Sequence, residues 1–162
     1  MPDWAQRYWE DVHEGDELPT LEFPITIVRL VIEAAANRDF WPLHHSSEFA
    51  RASGAADMYA NNIFLQGMWE RSAREYIGLA GVLKKLGPFR MRGFNLVGET
   101  VVVKGVVRRT WQSDGENFVE FELRSENSKG VLTVAPGPVI ATLPSRASVA
   151  ITADGTPPEL VL

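Results

Sequence analysis

Asp39 and His44 stand five residues apart, on either side of Phe40-Trp41-Pro42-Leu43, directly after a stretch patterned as a helix. A carboxylate beside an imidazole can hold the ring in one tautomer and raise its basicity, so the two groups can activate a water and move a proton. The same spacing is also what a helix-terminating Asp and a hydrogen-bonded loop His would give, and the residues alone leave both readings open. His45, next door, reads as structural. The chain has no Cys, which removes disulfides, thiolate metal sites, iron–sulfur ligation and cysteine nucleophiles together. Three His residues, two of them adjacent, do not have ligand spacing, so no metal is expected. No phosphate-cradling loop or dinucleotide fingerprint is present.

The elements that must carry this pair follow from periodicity. Thr20–Ile25 is strand-like, and Thr26 is placed to cap a helix over Ile27–Arg38, where Val28, Val31, Ile32 and Ala35 recur at helical spacing. Pro42 biases Trp41 toward an extended conformation and predicts the helix end at Arg38-Asp39. From Leu43 to Ala60 no single period persists, and Gly54-Ala55-Ala56-Asp57 marks a loop, so this excursion is a candidate functional loop. A second helix is predicted over Asn62–Ile77, closed by Gly78. It carries Met68, Trp69, Ser72, Ala73 and Tyr76 on one side and Glu70, Arg71, Arg74 and Glu75 on the other. Phe64, Trp69 and Tyr76 read as core. Beyond Gly87 the period shortens, and Phe89–Leu96, Thr100–Trp111, Phe118–Arg124 and Val131–Leu143 read as strands. Ser113-Asp114-Gly115-Glu116 and Asn127-Ser128-Lys129-Gly130 are turns joining antiparallel neighbours, and Pro136-Gly137-Pro138 requires an edge, a bulge or a break. The order is strand, helix, loop, long helix, then a four-stranded antiparallel meander. This is an α+β layout with one helix to cover one sheet face.

At 162 residues the chain is long enough for one core, with 45% apolar and 23% charged residues as in globular domains. Residues 1–19 are expected to form a lead-in packed on the domain by Trp4, Tyr8 and Trp9; residues 20–144 form the domain, and 145–162 a loosely held tail. Sixteen Lys and Arg against 21 Asp and Glu give a net charge of −5, the wrong sign for a nucleic-acid partner. No apolar run reaches the roughly 20 residues that span a bilayer. The polar start Met1-Pro2-Asp3-Trp4 lacks a secretory pattern, which makes the cytoplasm the expected location.

Asp39-Phe40-Trp41-Pro42-Leu43-His44 resembles the hydratase motif Asp-x-Asn-Pro-Leu/Ile-His of the MaoC-like, (R)-specific enoyl-CoA hydratases. The resemblance runs from Tyr8–Asp16 to about Leu143-Pro144. Gln66-Gly67-Met68 is similar to the glycine opening the family's central helix, and Gly98-Glu99-Thr100-Val101 to the Gly-Asp-x-Val turn before its next strand. The resemblance implies a hot-dog fold, a single domain in which an antiparallel sheet wraps a long central helix. It also implies a reaction: water held by Asp39 and His44 adds to C3 of a trans-2-enoyl-CoA while a proton reaches C2, reversibly giving a 3-hydroxyacyl-CoA. Gly67 would be the backbone donor to the enolate-like thioester oxygen. Coenzyme A enters as part of the substrate, with no separate cofactor, and such domains pair into homodimers or heteromers.

Trp41 stands where the family has Asn, and His45-Ser46 replaces the x-Asp that often follows. Trp41 would then wall the acyl pocket or anchor the core. Arg38-Asp39-Phe40, His44-His45, Asp57-Met58-Tyr59, Asn61 and Trp69–Gly78 also resemble the small MaoC-like subunit of heteromeric hydratases acting on steroid side-chain CoA thioesters. There a second, divergent hot-dog chain makes room for a bulky acyl group. On this resemblance Trp41, Tyr59 and Asn61 are expected at the substrate. Lys84 and Lys85, with Arg90 and Arg92, would meet coenzyme A phosphates or form a solvated basic face. Two rival functions remain open. One is a non-catalytic acyl-CoA-binding or partner subunit; the other is a thioesterase using Glu70 or Glu75.

Overall fold

The computed structural model describes residues 6–147. Trp4 and the end of the tail lie outside the described residues. Five strands form one antiparallel sheet in the order β1-β3-β4-β5-β2. They are β1 (Leu21–Pro24), β2 (Val82–Leu86), β3 (Thr100–Ser113), β4 (Glu116–Asn127) and β5 (Leu132–Thr142). Three helices accompany them: α1 (Ile27–Ala36), α2 (Ser47–Ala52) and α3 (Asn62–Ile77).

The long helix α3 has the bounds its pattern predicts. Asn61 Oδ1 accepts the Phe64 N–H at 2.8 Å, and Gly78, at φ 76°, closes the other end. Leu65, Met68, Trp69, Ser72, Ala73, Tyr76 and Ile77 are buried at helical spacing against the sheet. From the sheet, β3 supplies Val101, Val103 and Val107, and β4 supplies Val119, Phe121 and Leu123, all essentially unexposed. Trp69 Nε1 donates to Ser125 Oγ at 2.8 Å, and Tyr76 meets Phe121 edge-on with ring centres 5.4 Å apart. A methyl on Gly137 would sit 2.7 Å from the Pro88 carbonyl and 3.3 Å from the Trp69 ring, so only glycine lets that loop and ring close over β5.

Two strand assignments change. Phe89–Leu96 is not a strand; Arg90–Gly93 bonds Thr133–Ala135 of β5 around the isolated bridge Met91 to Val134, and Leu96 bridges Tyr59 in the loop before α3. The strand is Val82–Leu86, paired with Val139–Thr142 of β5. A five-strand order with β2 beyond β5 and β1 beyond β3 therefore replaces the simple four-stranded meander. The register slip opposite Pro136 is the bulge that Pro136-Gly137-Pro138 requires. The stretch Leu43–Ala60 also holds a short helix, α2, whose N-cap Ser46 Oγ accepts the Phe49 N–H at 3.3 Å.

The lead-in and the start of the tail pack together at the far end of α3. The Trp9 N–H bonds the Pro144 carbonyl at 3.0 Å, Gln6 Nε2 bonds the Ile77 carbonyl at 2.9 Å, and Arg146 pairs with Asp11 at 2.5 Å.

Candidate active site

Helix α1 delivers Asp39 by the way it ends. Arg38 adopts a left-handed conformation, φ 56°, just past the C-cap Asn37. Its N–H bonds the Ala35 carbonyl at 3.2 Å while the Asp39 N–H bonds the Ala34 carbonyl at 2.9 Å. This double closure is a Schellman motif, and it fixes the Asp39 backbone before Pro42 has any effect. Pro42–His44 then forms one 3-10 turn that swings His44 inward.

The pair meets. His44 Nε2 lies 3.4 Å from Asp39 Oδ2, with the imidazole 8% and the carboxylate 34% exposed. Two residues of the following loop hold them. The Tyr59 carbonyl takes His44 Nδ1 at 2.8 Å, and the Tyr59 ring lies edge-on to the imidazole, centres 5.2 Å apart. Asn61 Nδ2 donates to Asp39 Oδ2 at 2.8 Å while its Oδ1 caps α3. Tyr59 and Asn61, expected at the substrate, thus direct these atoms at the Asp/His pair. Burial, and then the charge of Asp39, pushes the Tyr59 phenol above its ordinary pKa.

A cavity of about 480 Å³ lies between α1, β1 and the start of α3; neither Asp39 nor His44 is among the residues that line it. Its walls are Phe23, Ile32, Ala36, Ile63 and Phe64, with Arg29, Glu33 and Asn37 as polar members and Gly67 on the α3 side. Phe64, expected in the core, therefore faces this space. Gly67 is the sixth residue of α3, so helical geometry turns its N–H toward the Ile63 carbonyl, one turn inside the free amides of the helix start. What Gly67 offers the cavity is bare backbone, with nothing within 4 Å of the place a Cβ would take.

Trp41 is 58% exposed and, among the described residues, meets the Phe49 ring edge-on at 5.9 Å, so it neither anchors the core nor lines this cavity. Lys84 and Lys85 sit on β2, which follows the C-terminal end of α3 and packs against that helix, and neither lines the cavity at its start. Lys84 pairs with Glu116 at 2.5 Å. Glu70 bonds Arg74 at 2.8 Å, and Glu75 pairs with Arg71, on the solvent side of α3. Among the described residues no group of three His, Asp or Glu gathers closely enough to hold a metal ion, and no helix is long and apolar enough to cross a membrane.

Sequence reasoning passed over Glu33. It is buried on α1, lines the cavity and accepts from Asn37 Nδ2 at 2.5 Å. Burial is the largest influence on its carboxyl and pushes the pKa above the usual value; Asn37, His44 and Asn61 pull the other way, and Asp39 adds to the rise. The sequence signal was a lone acid in the otherwise apolar run Val31-Ile32-Glu33-Ala34-Ala35-Ala36.

No family model matches the chain. A 73-residue stretch, 45% of the chain, is 30% identical to the 3-oxo-4,17-pregnadiene-20-carboxyl-CoA hydratase beta subunit of Mycobacterium tuberculosis. The match spans 57% of that protein, little more than half its length. Among solved structures, the chain is similar to the ChsH1-ChsH2 complex of Mycobacterium tuberculosis, with TM-score 0.72 and 24% identity over 82% of this chain and 98% of that one. It is also similar to an (R)-hydratase of A. caviae involved in PHA biosynthesis (0.75, 18%, covering 83% and 99%). A MaoC-like dehydratase of Rhodospirillum rubrum aligns at 0.72 and 17%, covering 85% and 97%. The fold these structures share with the chain is the hot dog.

Proposed function

We propose that this chain hydrates, reversibly, a trans-2-enoyl-CoA to a 3-hydroxyacyl-CoA, with Asp39 and His44 activating the water. The observation that carries the reading is the 3.4 Å gap between His44 Nε2 and Asp39 Oδ2. Because Nδ1 faces a carbonyl, which only accepts, the ring hydrogen belongs on Nδ1 and a neutral imidazole presents its lone pair at Nε2. Two acceptors then face each other, and a water donating one hydrogen to each satisfies both while its own lone pair stays free for C3. As the O–C3 bond forms, a water proton passes to the imidazole and the π pair moves onto C2 and the thioester oxygen; an acid of the site then loses its proton to C2 as the C2–H bond forms, and the proton held by the imidazole restores that acid. The bare backbone at Gly67 lets the thioester lie close against α3.

The likeness to hydratases and dehydratases supports this chemistry, and the largely apolar cavity suits an acyl group. Arg29 borders the cavity in the same chain; Lys84 and Lys85 would meet coenzyme A phosphates only from a second chain. A homodimer or a heteromer with a related hot-dog chain fits the outward face of α1, where Ile27, Val28, Val31 and Ile32 are 46–65% exposed. That face, and the likeness to the ChsH1-ChsH2 complex, favour one second reading, a partner subunit whose mate does the chemistry. A thioesterase has less support, because Glu70 and Glu75 are engaged by arginines away from the cavity.

Loss of the conjugated enoyl-thioester absorbance, followed with short-chain and bulky ring-bearing 2-enoyl-CoAs, tests the proposal. Asp39→Ala and His44→Ala should each slow turnover by about a hundredfold or more. Turnover unchanged by either substitution would point to the partner-subunit reading, and release of free thiol to hydrolysis.

A further inference from the structure

Glu33 occupies a place where the fold has every reason to use an apolar side chain. It lies on the buried line of α1 with Leu30 and Ala34 and is 7% exposed. One carboxyl oxygen accepts from Asn37, while Oε2 is fully buried with no hydrogen-bond partner among the described residues. An unsatisfied buried acceptor is destabilising, and removing the carboxyl would relieve it. The position of Glu33 is as specific as its burial. On one side it lines the cavity; on the other it lies within electrostatic reach of His44 and Asp39. It is the ionisable group that joins the cavity to the Asp39–His44 pair.

We propose that Glu33 is the acid of this site, the catalytic residue that gives C2 its proton from the cavity wall while Asp39 and His44 activate water for C3. The assignment rests on the hydratase reading above. In hydration the Glu33 O–H bond breaks as the C2–H bond forms, while the water's O–H bond breaks toward His44 as the O–C3 bond forms. The site is left with a Glu33 carboxylate and an imidazolium, and transfer of one proton between them restores the starting state. Dehydration runs the same steps backward, with the Glu33 carboxylate removing the C2 proton. Two carboxylates ionised together in a half-dry site repel, which favours leaving a proton on the more buried one.

Glu33→Gln keeps the shape and the acceptor for Asn37 but has no proton to give; Glu33→Leu keeps only the packing. Measured in the full-length chain with trans-2-butenoyl-CoA and a bulky ring-bearing 2-enoyl-CoA, both substitutions should lower kcat by about a hundredfold or more with KM little changed. Neither should lower the urea midpoint, whereas removing a purely structural carboxylate would. In heavy water, exchange of the C2 hydrogens of the 3-hydroxyacyl-CoA should disappear in both variants. A Glu33→Gln enzyme within threefold of wild type, or one that still exchanges C2 at the wild-type rate, overturns the assignment and leaves the hydratase reading standing. A wild-type chain that hydrates neither substrate overturns both.

Discussion

Asn61 performs two tasks with two different atoms, and substitution can separate them. Its Oδ1 caps α3 by accepting the Phe64 N–H at 2.8 Å; its Nδ2 holds the Asp39 carboxylate at 2.8 Å. Asn61→Ala removes both. Loss of an N-cap costs about 1 kcal/mol. A hydrogen bond to a carboxylate contributes roughly 1.5–3 kcal/mol when buried, and because Asp39 is 34% exposed we discount it to about 1 kcal/mol. Asn61→Ala should therefore lose roughly 2 kcal/mol of stability. Asn61→Ser retains an oxygen for the Phe64 N–H but is too short to reach Asp39, so it should lose about half as much. For turnover the two should look alike, since each releases the carboxylate that faces His44, and a fall of about tenfold corresponds to 1.4 kcal/mol of lost positioning. Urea midpoints and initial hydration rates at one pH supply both readouts. Equal stability losses in the Ala and Ser variants would refute the capping argument. Wild-type turnover in Asn61→Ser would refute the claim that Asn61 positions Asp39.

Other consequences follow from the same geometry. Arg38 pays for its left-handed conformation with side-chain crowding, so Arg38→Gly should raise stability by about 1 kcal/mol in urea denaturation while the Schellman closure persists. Burial first, then the Asp16 carboxylate against the opposing pull of Arg7, pushes the Tyr76 phenol up to about 12. Below pH 10 the phenol is neutral folded or unfolded; between pH 10 and 12 only the unfolded chain loses its proton. Stability should fall by roughly 3 kcal/mol across that window, and Tyr76→Phe should flatten that part of the alkaline profile. Val28→Glu and Val31→Glu place charge on the outward apolar face of α1 and should weaken association in sedimentation velocity without lowering the melting temperature.

The Asp39–His44 pair was legible because its parts are local: a helix end, a proline turn and five residues of spacing. Helix α3 was legible because its caps and its buried line obey one period. The strand at Phe89–Leu96 misled because alternation says which way side chains point, while a strand also needs an open neighbour. Val82–Leu86, whose Lys84-Lys85 hides the pattern, takes the Val139–Thr142 part of the outer edge of β5, and Phe89–Leu96 is left only irregular bonds to Thr133–Ala135. Glu33 was illegible for a related reason. An acidic residue in a helix ordinarily faces water, and the apolar stripe Val28, Val31, Ile32 and Ala35 looks like the buried side. In the fold that stripe points outward, and Leu30, Glu33 and Ala34 point in. Nothing local to α1 announces this inversion. Asn61 and Tyr59 were picked out by resemblance, but their tasks depend on contacts across 15 and 22 positions of chain.

The most direct test of the central claim is to follow solvent oxygen. With a 2-enoyl-CoA in water enriched in oxygen-18, the wild-type chain should place label on C3 of an intact thioester at the rate the enoyl absorbance disappears. Asp39→Asn should reduce both rates together. Label appearing in a free carboxylate, or label on C3 that forms as fast in Asp39→Asn as in wild type, would contradict an Asp39–His44 pair acting on water.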